Sequence, residues 1–153
     1  MTGRIEERLA EMGESLPDAP APAANYVPYV QSGNMVYISG QISADAGGLI
    51  KGRLGDDMDV EQGAAAARRC ALSLLAQLKA ACDGDLDRLV RVVKLTAFVN
   101  STPESGDQPF VVNGASDFLV DLLGESGRHA RSAVGAILPL GAAVEIEGFF
   151  EIR

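Results

Sequence analysis

Apolar and polar positions along the chain repeat with two different periods, and the switches between them mark the elements. Ile5, Leu9 and Met12 recur at helical spacing and predict a short amphipathic helix over 5–12. Pro17, Pro20 and Pro22 among alanines then predict an extended linker from Leu16 to Ala24. Strand patterns follow at Val27 to Gln31 and, more strongly, at Met35 to Ser39, with Ser32-Gly33-Asn34 between them as a hairpin turn. Gly47-Gly48 marks a second turn, followed by Leu49 to Leu54.

The longest helix is predicted to open at Asp59, where Gln62 three residues later completes a capping-box pattern, and to run to about Cys82. Ala67, Ala71, Leu74, Leu75 and Leu78 form its apolar stripe, and the alanines at 64–67 permit close approach of another element. Leu89 to Asn100, rich in Val, Leu, Thr and Phe, predicts a central strand. A polar loop from Ser101 to Pro109 precedes a second helix from Phe110 to Leu123, closed by Gly124. Ala130 to Ile137 and Ala142 to Ile152 predict two last strands joined through Pro139 and Gly141 as a hairpin.

The order β-β-α-β-α-β-β behind a helical lead predicts an α+β fold, a mixed sheet with both helices on one face. Residues 1–25 are expected to be a helix and Pro/Ala-rich linker packed on the domain, and 26–153 the domain itself. The other sheet face is apolar and needs cover, which predicts association with copies of the same chain.

Composition narrows the function more than the fold. At 153 residues, with 47% hydrophobic and 22% charged, the chain has the size and make-up of a single globular domain. Its net charge of −8 repels phosphate backbones, and Arg68-Arg69 and Arg128-His129 make no basic stripe. Nucleic acid is therefore not the expected partner. Cys70 and Cys82 sit on one predicted helix, about 18 Å apart at the helical rise, beyond disulfide reach. With one histidine they make no zinc site, so packing is the expected role of both thiols. No stretch is long and apolar enough for a membrane span and no signal peptide is visible, so a cytoplasmic setting is expected.

The residues that carry chemistry lie near the end. Arg131 opens a strand whose other residues are small or apolar, so its guanidinium must be exposed, paired, or aimed into a site. Glu145 and Glu147 alternate with Val144, Ile146 and Gly148, placing both acids on one face. An Arg–Glu pair tying two strands together is the plain structural explanation. His129 has no partnered Ser or Cys motif, and there is no P-loop or dinucleotide fingerprint.

Tyr29-Val30-Gln31, the run from Gly33 to Gln41, Ala130-Arg131-Ser132, Leu138-Pro139 and Val144-Glu145-Ile146-Glu147 together resemble the YjgF/RidA family, also called the L-PSP endoribonuclease family. The match runs in order from about Tyr26 to Glu151. The resemblance implies a chorismate-mutase-like fold, a barrel-shaped homotrimer and ligand clefts between subunits. It implies hydrolysis of reactive 2-imino or enamino acids to 2-oxo acids and ammonia, without metal or cofactor. A trimer that binds a small carboxylate without turnover is the alternative it leaves. Carried over by position, Arg131 grips the substrate carboxylate, Tyr29 faces the ligand, and Ser39 and Gly40 approach it through their backbone. Asn113 matches the family's asparagine on the second helix, Glu145 the acid on the last strand. Ala133 stands where deaminating members commonly carry Cys, and the Arg131 to Leu138 interval is one residue shorter than usual. Glu145 is expected to orient water or move a proton. Ribonuclease activity, a label on some relatives, conflicts with the net charge, and a mutase activity would rest on fold alone.

Overall fold

Alternate residues of the strand Leu89–Asn100 are buried, and that alternation decides which side of the sheet is dry. Leu95, Ala97 and Val99 are sealed, while Thr96, Phe98 and Asn100 are only half-covered. The structure, a computed structural model, describes residues 3–153; Met1 and Thr2, part of the lead expected over 1–25, lie outside the described residues.

The elements run α1 (Arg4–Glu11), β1 (Tyr29–Ser32), β2 (Met35–Ile42), β3 (Ala44–Asp45), β4 (Gly48–Leu49), α2 (Val60–Ala81), β5 (Leu89–Asn100), α3 (Gln108–Leu123), β6 (Ala130–Ala136) and β7 (Val144–Ile152). The main sheet has the order β1-β2-β7-β5-β6, with β3 and β4 forming a separate two-residue hairpin. Every pairing in the main sheet is antiparallel except β5 with β6. Both long helices lie across its dry face, as the α+β pattern predicts.

The local rules hold where they are strongest. Asp59 accepts the Gln62 backbone N–H at 2.8 Å, and the Gln62 side chain accepts the Asp59 N–H at 3.0 Å, so both halves of the capping box form. The alanine-rich start of α2 lets α3 come so close that a Cβ at Gly114 would strike the Ala64 backbone. Cys70 and Cys82 are both buried and unpaired, packed in the core as expected.

One expectation is overturned. β6 and β7 are not a hairpin, because β5 runs between them, pairing β6 on one side and β7 on the other. The helix α3 carries the chain from the end of β5 back to its beginning, so β6 starts level with Lys94 and runs parallel. The strand edges are then β1 and β6.

The N-terminal lead is tied to the domain at several points. The Asp87 carboxylate, from the turn before β5, accepts the Arg4 and Ile5 N–H groups at 2.8 and 3.1 Å and so caps α1 from a distance. Leu9 is sealed in the core, Glu6 meets Lys79 at 3.1 Å, and Glu14 meets Arg68 at 3.0 Å. The Arg68 guanidinium also lies 4.5 Å from the centre of the Phe118 ring. From there the linker crosses to β1.

Candidate functional site

Two groups of candidate residues emerge, on opposite sides of the sheet. The first surrounds a bulge in β2. Between Ile38 and Gln41 the register with β7 slips, so Ser39 and Gly40 bow out of the ladder. The Ser39 hydroxyl donates to the Val27 carbonyl at 2.8 Å and its N–H to Pro28 at 2.9 Å. Beside the bulge stands Glu145, paired across the strands with Ile42 and Phe98 on the open face. A Cβ on Gly40 would lie 2.9 Å from the Glu145 carboxyl carbon, so the carboxylate occupies the space that any side chain at 40 would need.

These residues line a cleft of about 770 Å³ whose far wall is the proline-rich linker, from Pro20 to Tyr26. Most of the lining is apolar. Glu145 is half-buried there, and its loss of water, reinforced by the neighbouring Glu147 charge, pushes its carboxyl above the usual glutamate range. Glu147 shares its face, as the alternation predicts. A carboxyl in this state holds a proton more readily than an exposed one and is suited to give it up inside the cleft.

The second group gathers where β6 meets α3. Arg131 pairs with Leu95 and so belongs to the helix-bearing side, not to the side of Glu145. Its guanidinium donates to the Ser116 hydroxyl oxygen at 3.0 Å and to the Pro109 carbonyl at 3.1 Å. Pro109, Asn113 and Ser116 follow at i, i+4 and i+7, so Asn113 shares the face of α3 that Arg131 bridges. Two of the five guanidinium N–H groups are engaged by these bonds. Ala133 lies two residues on, on the same side as Arg131, half-buried beside Ala97.

His129 completes this group. Its Nδ1 lies 2.6 Å from the Gly127 carbonyl oxygen and its Nε2 lies 2.8 Å from the Ser116 hydroxyl. A carbonyl only accepts, so Nδ1 carries the proton, and in the neutral ring Nε2 accepts from the Ser116 O–H. Ser116 thus receives from Arg131 and gives to His129. Burial, with the Arg131 charge nearby, holds the imidazole below its ordinary value, while the Gly127 bond opposes that shift.

The structure therefore brings Ser39, Gly40 and Glu145 together in the cleft, and Arg131, Asn113 and Ala133 together at the β6–α3 edge. Tyr29 joins neither. It pairs with Ile38 on the helix-bearing side and packs against the core, while Tyr26 lines the cleft. The Arg–Glu strand pair does not form: Arg131 is held by α3, and β5 separates the two strands. Ser116, His129, Gln41 and Gln77 are additions to the candidate residues. A glutamine at 77, set among Leu74, Leu75 and Leu78, is a break in an apolar stripe that marks a buried polar contact.

Comparison with known proteins places this geometry. A family model described as YjgF/chorismate mutase-like, putative endoribonuclease, matches residues 6–152. Protein TCP17 of Trypanosoma cruzi is 51% identical, over 99% of this chain and 96% of its own length. A 2-iminobutanoate/2-iminopropanoate deaminase of Dermatophagoides farinae is 30% identical, over 91% of this chain and 94% of its own. The crystal structure of a protein of unknown function from Agrobacterium tumefaciens superposes with a TM-score of 0.90 at 49% identity, covering 97% of this chain and 92% of that one.

Proposed function

We propose, from the premise that this chain belongs to the YjgF/chorismate mutase-like family, that it hydrolyses a small 2-imino acid to the 2-oxo acid and ammonia. The observation that carries this reading is Glu145, a half-buried carboxyl with a raised proton affinity at the floor of a cleft that is otherwise mostly apolar. The relative from Dermatophagoides farinae is named for that reaction.

Among the described residues no guanidinium lines the cleft, so the anchor for a substrate carboxylate is Arg131 of a neighbouring copy. Arg131 sits on the edge strand β6, clamped by α3 with donors to spare, which suits it to serve a site outside its own protomer. The open sheet face supports the same assembly. It exposes Val30, Tyr37 and Val134, and the loop beyond β6 exposes Ile137 and Leu140. Three copies packed through these faces would cover them, as the resemblance implies.

The chemistry then follows from the groups in place. Arg131 holds the carboxylate through two parallel N–H bonds and fixes the imine carbon. A water oxygen adds to that carbon, and the C=N electron pair moves to nitrogen, which takes the proton of the Glu145 carboxyl. Glu145 recovers a proton from the added water. Glu145 then gives that proton to the carbinolamine nitrogen, and as C–N breaks and ammonia leaves, C=O forms and the hydroxyl proton passes to the Glu145 carboxylate. Much of the gain comes from orientation and from the raised proton affinity that burial and Glu147 give the acid.

Ala133 favours a second reading, a trimer that binds a carboxylate without turnover, since it places a methyl and no thiol two residues beyond Arg131. One assay separates the two. Freshly generated 2-iminopropanoate and 2-iminobutyrate are followed with the parent chain and with Arg131→Ala. Acceleration by the parent that Arg131→Ala abolishes supports hydrolysis. Equal rates with and without protein, together with binding of the 2-oxo acid, support the second reading.

A further inference from the structure

The linker from Pro20 to Tyr26 forms one wall of the cleft, and a buried amide chain ties it to the site. Gln77, on α2, is only 2% exposed, and Gln41, next to the bulge, only 6%. The Gln77 amide donates to the Pro20 carbonyl at 2.6 Å and lies 3.4 Å from the Gln41 side-chain oxygen. Gln41 in turn donates to the Ser39 carbonyl at 2.8 Å. One end of the linker is therefore fixed, through two side chains, to the same bulge that faces Glu145. The other end is fixed where Ser39 holds Val27 and Pro28. Between these anchors the Ala23 N–H donates to the Tyr26 hydroxyl at 3.2 Å, which closes a small loop and steadies the ring that lines the cleft.

What this strap presents is almost wholly apolar: prolines, alanine methyls and the Tyr26 ring, facing Leu140, Ile42 and Leu49 across the cleft. The polar groups are gathered at the Ser39–Glu145 end. A volume of about 770 Å³ far exceeds what a three- or four-carbon acid fills. We infer that the strap reads the substrate's side chain, and that the cleft takes 2-imino and 2-oxo acids with an apolar side chain longer than ethyl. The inference rests on the carboxylate-binding reading of this cleft.

The test titrates pyruvate, 2-oxobutyrate, 2-oxovalerate and 4-methyl-2-oxovalerate onto the full chain and reads each Kd from protein NMR shifts. Parent affinity should tighten roughly fourfold per added carbon as each enters apolar surroundings. Tyr26→Ala should flatten that series to less than about twofold per carbon, while Tyr26→Phe, which keeps the ring, should retain most of it. Tyr26 is 46% exposed, so both variants should fold, and their melting curves check this. A second variant, Pro20→Gly with Pro22→Gly, loosens the strap without touching Tyr26 and should flatten the series too. Equal affinity for all four acids in the parent overturns the inference and leaves the carboxylate reading standing. A graded parent series that neither strap variant alters also overturns it. If no acid binds the parent, the carboxylate reading fails first and this inference with it.

Discussion

Arg131 and Glu145 stand on opposite faces of one sheet, on strands separated by β5. Along β5, Leu95 pairs with Arg131 and Phe98 with Glu145, and residues three apart on a strand point opposite ways. Neither side chain can reach a ligand held by the other within one protomer. If both act on one substrate, they come from different copies.

That relationship predicts complementation. Arg131→Ala and Glu145→Gln should each lose imine hydrolysis as pure assemblies. Mixed assemblies formed from equal amounts should regain about a quarter of parental activity, because about one site in four then combines an intact arginine with an intact glutamate. Activity assays across mixing ratios check this. No recovery, with mixed assemblies demonstrated, would show that both residues must lie in the same chain.

Gly40 gives a separate handle on the Glu145 carboxyl. Gly40→Ala places a methyl 2.9 Å from the carboxyl carbon, and the flexible glutamate must swing aside. The stability change should stay under about 1 kcal/mol, since only the far end of an accommodating side chain moves. Hydrolysis should fall by up to about 100-fold, the scale of a misplaced catalytic group. Thermal melts and single-turnover rates read the two effects apart.

The capping box on α2 predicts a plain loss of stability. Asp59→Ala removes the acceptor for the Gln62 N–H and should cost about 1 kcal/mol by denaturant unfolding. Asp59→Asn keeps an acceptor and should recover most of it.

Much of this was legible because the signals were local. Leu89–Asn100 and Leu123 as a helix end are where the patterns put them, and Asp59 with Gln62 announces its cap in the sequence. The second helix begins earlier than its apolar spacing suggests, at Gln108, because Pro109 is tolerated in a first helical turn. The expected last hairpin failed since chain neighbours need not be sheet neighbours, and no residue near Pro139 records that β5 lies between. The same limit applies to the site. Ser116 is one serine in a helix and His129 one histidine before a strand, and their partnership exists only after α3 folds back on β6. The Pro20 to Tyr26 segment reads as a linker, and its role as a wall depends on Gln77, distant in sequence by 57 residues.

His129 is the chain's single histidine, so its titration can be read directly. Neutral His129 should show the Nδ1–H tautomer in nitrogen NMR, set by the Gly127 carbonyl. Its folded value lies below the ordinary 6.5, so as pH falls the unfolded chain takes the proton first. Stability from this group is therefore full above about 6.5 and is lost as pH falls from there through the folded value. His129→Gln should lack that step in a plot of Tm against pH. A histidine that titrates above 6.5 would mean that neither burial nor Arg131 governs it.

Glu145 runs the opposite way, and the contrast tests the cleft. Its folded value is raised above 4.5 by burial and by Glu147, so the folded chain keeps the proton longer than the unfolded one. The contribution is full below about 4.5 and is lost as pH rises through the folded value. Glu145→Gln removes the titrating group while keeping its size, so its Tm should exceed the parent's near neutrality and the gap should shrink toward acid. Glu147→Gln should act through the charge alone, lowering the Glu145 value and moving the alkaline limb of hydrolysis, where the acid loses its proton, toward lower pH with it. If neither the Tm profile nor that limb moves in Glu147→Gln, the two acids do not share the field that their common face implies.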